Sequence, residues 1–264
     1  MTAGNASAGF DVEEYTRTPY DLRPDSFDLA AIPSPTAAEL RTLDYLWRCE
    51  HGILDLMRDV LVTPTHAESR VTAFLVTWGY EQYWLAESLH AVLTARHDAP
   101  PDDVDTPVGR VRRVWDERVL TMATSLRTNL LGESIVAGHM LTGWLDTAAL
   151  MLCYQRLAER NPHWQTMAGA VVAMKQRHLD FYADQLQERA THPGAVDHIR
   201  GALRRWRWPG TRYSGHRAIH PVVEYLLADP ACEREVNHLD ATVSSLATVG
   251  RITPLRRALG RFVH

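Results

Sequence analysis

Residues 84–90 read Trp84-Leu85-Ala86-Glu87-Ser88-Leu89-His90. Helical spacing sets Glu87 and His90, three residues apart, on one face of a helix, one turn above the other. The surrounding window, roughly 66–97, is apolar on several sides and stops at a loop over 98–103 that contains Pro100 and Pro101. Working outward, helical periodicity recurs and β-type alternation is scarce. The pattern predicts helices over about 37–62, 106–131, 133–160 and 163–190, a short basic helix ending at Arg207, and further short helices to His264. Leu43, Leu46 and Trp47 repeat at helical spacing in the first of these. Long helices joined by short loops predict an all-α antiparallel bundle.

The longest apolar run extends from Ile135 to Cys153 and carries His139 and Asp146. A lipid-facing helix does not readily carry such residues, so the run reads as the buried centre of a bundle and no membrane span is expected. Residues 1–36, rich in Gly, Ser, Thr, Pro and Asp, read as an arm that is at best partly ordered and lies over the bundle. The expected organisation is this arm, a helical bundle over 37–210, and a helical extension of the same domain over 211–264.

In a chain of 264 residues, 45% hydrophobic content supports a sizeable core. The net charge of −4 argues against a general nucleic-acid binder. Cys49, Cys153 and Cys232 are scattered and lack zinc spacing, and the N-terminus has no basic patch followed by an apolar run. These features predict a reducing, cytoplasmic setting. Lys175 is the single lysine among 28 basic side chains, the rest being arginine. Arginine evidently suffices elsewhere, so Lys175 marks a position with a demand that the bulkier, always-charged Arg does not meet. Asp146 makes a separate demand. An unpaired carboxylate inside an apolar helix costs about 3–5 kcal/mol, so it needs a cation, a protonated partner or a metal. Lys175 is one candidate partner for it.

Four segments resemble the acyl-carrier-protein desaturases of the ferritin-like di-iron carboxylate superfamily. Trp84-x-x-Glu87-x-x-His90 is similar to that family's Trp-Thr-Ala-Glu-Glu-Asn-Arg-His segment. Glu50-His51-Gly52-Ile53-Leu54 resembles its Glu-Asp-Asn-Leu-Pro segment, in which the Glu is a ligand. Met174-Lys175-Gln176-Arg177-His178, followed by Tyr182, resembles the second Glu-x-x-His, with Lys175 standing where the Glu is expected. Trp208-Pro209-Gly210 resembles a Met-Pro-Gly turn. The helix opening Glu133-Ser134-Ile135-Val136 resembles a fifth segment, but its expected ligand Glu falls on Thr142, with Asp146 a turn later. The resemblance covers about 40–210.

That resemblance implies a ferritin-like four-helix bundle holding one or two iron ions. The ligands would be Glu50, Glu87, His90 and His178, with Asp146 assisting and Thr142 lining the oxygen pocket. It implies O₂-dependent dehydrogenation or oxygenation of an acyl or other apolar substrate, carried by an acyl carrier protein or free. It also implies a homodimer. The run Arg204-Arg205-Trp206-Arg207-Trp208 is either the carrier-protein dock or a solvated basic helix end. Lys175 leaves a second reading open. Its ammonium can replace the metal charge among the carboxylates, giving a metal-free scaffold with a non-redox or ligand-binding role. Direct or carbamylated coordination by Lys175 is a further option. Schiff-base chemistry ranks last, because flanking carboxylates favour the protonated amine. His51, His97 and His139 are reserve ligands. Tyr45, Tyr80, Tyr83 and Tyr154 read as core aromatics ahead of redox tyrosines.

Overall fold

The computed structural model describes residues 9–29, 32–61, 68–95, 134–211 and 215–262. Nine α-helices and no strand occur among the described residues. They are α1 (Val12–Arg17), α2 (Ala37–Leu61), α3 (Ser69–Ala95), α4 (Ser134–Arg160), α5 (Gln165–Arg189), α6 (Ala195–Arg205), α7 (Gly215–Leu227), α8 (Pro230–Ala247) and α9 (Pro254–Leu259). The helix expected over 106–131 and the reserve ligand His97 lie outside the described residues. No helix among those described is long and apolar enough to cross a membrane.

Local chemistry sets the helix ends. At the start of α2, Thr36 and Glu39 form a reciprocal capping box. The Thr36 amide donates to Glu39 Oε2 at 2.7 Å, and the Glu39 amide donates to Thr36 Oγ1 at 3.3 Å. Glu39 Oε1 also accepts from Asn161 Nδ2 (2.7 Å) and Trp164 Nε1 (2.8 Å), which ties this helix end to the α4–α5 connection. Pro162 stops α4, since proline has no amide for the helical ladder. Asp229 caps α8 ahead of Pro230, its Oδ1 accepting from the Cys232 amide at 2.9 Å.

The most extensive packing is α4 against α5, followed by α2 against α3. Gly143 makes the first approach possible. A Cβ there would lie 2.6 Å from Tyr182 Cε1, so the ring of α5 occupies the space a side chain on α4 would fill. The core runs between these pairs through Leu46, Phe74, Leu85, Leu145, Leu152, Phe181 and Leu186. Helices α6 and α7 pack on α4, α7 also on α2, and α8 on α4 and α5. The turn at Trp208–Gly210 closes on α2: Gly210 has φ +79°, and Tyr45 donates its hydroxyl to the Pro209 carbonyl at 3.0 Å.

Within the arm, residues 9–29 lie over the bundle, as expected. Residues 9–29 dock across α3 and α5. Tyr15 and Leu22 are buried, the Tyr15 ring stacks on Phe74 (centroids 5.2 Å), and Ser88 Oγ donates to the Leu22 carbonyl at 2.5 Å. Arg177 holds the arm from α5 by donating to the Thr18 carbonyl at 2.6 Å, with its guanidinium 4.6 Å from the Tyr15 ring centroid. The buried Tyr15 and Leu22 outweigh the polar composition around them.

Candidate functional site

Two buried polar pairs sit between the long helices. In the first, Lys175 Nζ of α5 lies 2.9 Å from Glu50 Oε1 and 3.0 Å from Oε2 on α2, with both side chains fully excluded from solvent. The Tyr154 ring of α4 lies 5.8 Å from the ammonium. Burial, and then the Glu50 charge, push the Tyr154 hydroxyl well above its ordinary pKa. Desolvating an ion pair is costly and is repaid only with close geometry, which contact with both carboxylate oxygens provides.

In the second pair, Glu81 of α3 accepts three hydrogen bonds. Its Oε2 lies 2.6 Å from the Tyr15 hydroxyl and 2.7 Å from His178 Nε2, and its Oε1 lies 2.8 Å from the Tyr20 amide. Burial opposes ionisation of Glu81, yet the donated bonds prevail and hold its carboxyl below the ordinary value. Burial lowers the His178 pKa against the opposing pull of Glu81, and Lys175 adds to the lowering. An ionised carboxylate only accepts, so Nε2 of His178 carries the proton of this contact. Its buried Nδ1 has no hydrogen-bond partner among the described residues.

Of the residues singled out by sequence, the fold places Glu50, Lys175 and His178 in the core, Lys175 and His178 being one turn apart on α5. Asp146 is not the principal partner of Lys175. Its Oδ1 accepts from Trp206 Nε1 at 2.8 Å, and burial raises its pKa from 3.8 to about 7 against lowering by Trp206 and Lys175. The Thr142 hydroxyl donates back to the Gly138 carbonyl one turn earlier, at 3.0 Å. Glu87 and His90 are not brought to this site. At about 100° per residue, Glu87 lies about 120° around α3 from Glu81. His90 is exposed, with its ring 5.5 Å from that of Trp47 on α2. His51, also exposed, flanks the same Trp47 at 5.7 Å. Tyr45 and Tyr154 are core aromatics as expected, whereas Tyr80 and Tyr83 are exposed because they lie on the outer side of α3. In the basic run, Trp206 and Trp208 are buried and Arg204, Arg205 and Arg207 exposed.

Sequence reasoning missed Glu81 and Tyr15. Glu81 lacks a histidine three residues on, and Trp84 stands there instead. The signal that finds it is position, since Glu81 shares the helix face of Phe74, Trp78 and Leu85, all buried. Nothing local distinguishes Tyr15, which reaches Glu81 only because the arm docks.

The described residues do not fit a two-metal carboxylate centre. Lys175 neutralises Glu50, Glu81 is saturated by three donors, and Glu87 and His90 face elsewhere. Among the described residues no group of three or more His, Cys, Asp or Glu is close enough to hold a metal ion. His178 Nδ1 is a free donor atom, but one imidazole is no site.

A groove of about 610 Å³ opens on another side of the molecule, between α4, α5 and α8. Trp144, Met151, Leu179, Leu239 and Leu246 make its apolar wall, and Glu159 and Glu235 are among its polar residues. Burial, and then the neighbouring Glu159, raise the Glu235 pKa. The volume suits a small organic molecule. No protein-family model, curated protein or solved structure shows a significant match to this chain.

Proposed function

We propose that this chain is a ferritin-like four-helix protein, built on α2 to α5, that works without a metal centre and binds an apolar small molecule in the groove between α4, α5 and α8. The observation that carries this reading is the buried contact of Lys175 with both oxygens of Glu50. An ammonium among carboxylates supplies the positive charge that a bound cation would otherwise supply. The alternative, an acyl oxidoreductase using O₂ and iron, needs Glu87 and His90 turned into the core. The groove offers an apolar wall with Glu159, Arg234 and Glu235 among its polar residues, which suits an amphiphile.

The test has two arms. The protein is loaded anaerobically with ferrous iron, desalted and analysed by plasma mass spectrometry. The expected iron content is far below stoichiometric, and stoichiometric iron would overturn the metal-free reading in favour of the oxidoreductase. Separately, dodecylamine, dodecanol and dodecanoate are titrated calorimetrically. At least one of the three is expected to bind, and Leu239→Arg in the groove wall is expected to abolish that binding. If none of the three binds, or if Leu239→Arg binds them unchanged, the groove is not the ligand site.

A further inference from the structure

Charge is distributed unevenly along the chain. Residues 198–223 and 241–264 carry ten arginines and no Asp or Glu, so the remainder carries a net −14 against the overall −4. A net charge near zero conceals such an asymmetry, which points to a polyanion-binding face. The fold brings the two stretches together. Arg257 of α9 donates from Nη2 to the Leu203 carbonyl of α6 at 2.5 Å. Arg207 reaches the same helix end, its Nη1 donating to the carbonyls of Arg204 (3.1 Å), Arg205 and Trp206 (both 3.0 Å). Arg261 is the third member: burial first, and then the charges of Arg261 and Arg207, lower the Arg257 pKa. The carbonyls of a helix C-terminus offset only about half a positive charge, and three guanidiniums meet there. Asp240, the carboxylate that attracts Arg257, is already committed to the amides of Leu255 (2.9 Å) and Arg256 (3.1 Å). Arg204, Arg205, Arg207 and Arg261 are exposed and form no ion pair among the described residues. The face therefore holds an excess of positive charge that the chain itself does not neutralise.

We propose that this arginine face, built from the end of α6, the segment through Arg207, and α9 with Arg261, binds the phosphate backbone of duplex nucleic acid without reading its sequence. Guanidinium forks match phosphate oxygens, and Arg207 and Arg257 are held in place by the carbonyls they cap. The class of polyanion follows from what accompanies the charge. Trp206 and Trp208 interleave with the arginines in sequence but are buried, so they offer no ring on which single-stranded bases could stack. The large hydrophobic side chains exposed among the described residues all lie on α3. This face thus lacks the apolar centre of a protein interface and the side chains that would enter a lipid layer. A polar, strongly positive surface is the composition of protein–duplex contacts. The net −14 elsewhere repels the same polyanion and confines contact to this face. None of these arginines lines the groove between α4, α5 and α8, so the two sites are independent.

The test titrates the full chain onto short fluorescent duplexes of two unrelated sequences and reads anisotropy at about 50 and about 200 mM salt. Both duplexes are expected to bind alike. With about four phosphates engaged, affinity is expected to fall about 150-fold between the two salt concentrations, since log K drops by about 0.9 per phosphate for each tenfold rise in salt. Arg204→Gln with Arg261→Gln is expected to lower that salt slope by about 1.8, with an unchanged thermal melt. Arg17→Gln with Arg23→Gln, the same change of charge placed on the arm, is expected to leave the slope as it is. Four outcomes would each overturn the proposal. They are no duplex binding at the lower salt, an equal loss of slope in the arm variant, tighter binding of a single strand than of its duplex, and displacement of the duplex by polyglutamate or phosphatidylserine vesicles as effectively as by unlabelled duplex. The last would assign the face to an acidic protein or to a lipid surface.

Discussion

At Lys175 the chain puts a primary ammonium into a fully buried position where two carboxylate oxygens are within 3.0 Å. A guanidinium is planar and broader, and its fork would need more space between α2 and α5 than this contact leaves. Removing the cation alone strands Glu50. Lys175→Met is therefore expected to destabilise the fold by about 3–5 kcal/mol, measured by urea unfolding. The double variant Lys175→Met with Glu50→Leu is expected to recover most of that loss, because no lone charge remains. A double variant as unstable as the single one would show that the pair is not what holds these helices. The single lysine pointed to this residue from the sequence. Its partner did not follow, because Glu50 and Asp146 are equally plausible until the rotation of α4 is known. Trp206 then takes Asp146.

At the scale of elements, helix boundaries were legible because capping and breaking are local. Thr36 with Glu39 at the start of α2 and Pro162 after α4 mark ends within a residue or two of where the sequence puts them. Helix rotation was not legible. In α3 both Glu81 and Glu87 sit among apolar neighbours in the sequence, and only packing turns Glu81 inward and leaves the Glu87 side facing out. The closeness of α4 and α5 depends on Gly143, whose missing Cβ makes room for the Tyr182 ring. Gly143→Ala must move that ring or part the helices, and is expected to cost about 1–3 kcal/mol by the same unfolding measurement. Adding Tyr182→Leu to it is expected to relieve part of the cost. The equivalent change at Gly169, where nothing lies within 4 Å of a new Cβ, is expected to be neutral or stabilising.

For the whole molecule, the buried groups make stability depend on pH in opposite directions. Glu81 has a lowered pKa in the fold, so its contribution is present above its unfolded value and is lost as pH falls through the folded one. The His178 pKa is also lowered, so its contribution weakens as pH drops below about 6.5 and the unfolded imidazole takes up a proton more readily than the folded one. Asp146 acts the other way. Its pKa rises from 3.8 to about 7, so its contribution is full in acid and is lost as pH climbs through that interval. Asp146→Asn keeps an acceptor for Trp206 without the charge. The difference in unfolding free energy, variant minus wild type, is expected to increase between pH 4 and pH 8. A pH-independent difference would show that Asp146 does not titrate in this window.

By itself, the sequence determined the all-helical class, the ends of the long helices and the singular importance of Lys175, because periodicity, capping and composition are properties of neighbouring residues. It also singled out Glu50 and His178. Only the tertiary structure decided that Glu81 rather than Glu87 joins them, that Tyr15 arrives from an arm of unpromising composition, and that Tyr80 and Tyr83 stand outside. Those outcomes depend on the rotation of each helix about its axis and on contacts between residues such as Tyr15 and Glu81, 66 positions apart. The free energy that sets them comes from burying whole helix faces together, which no local stretch of the chain encodes.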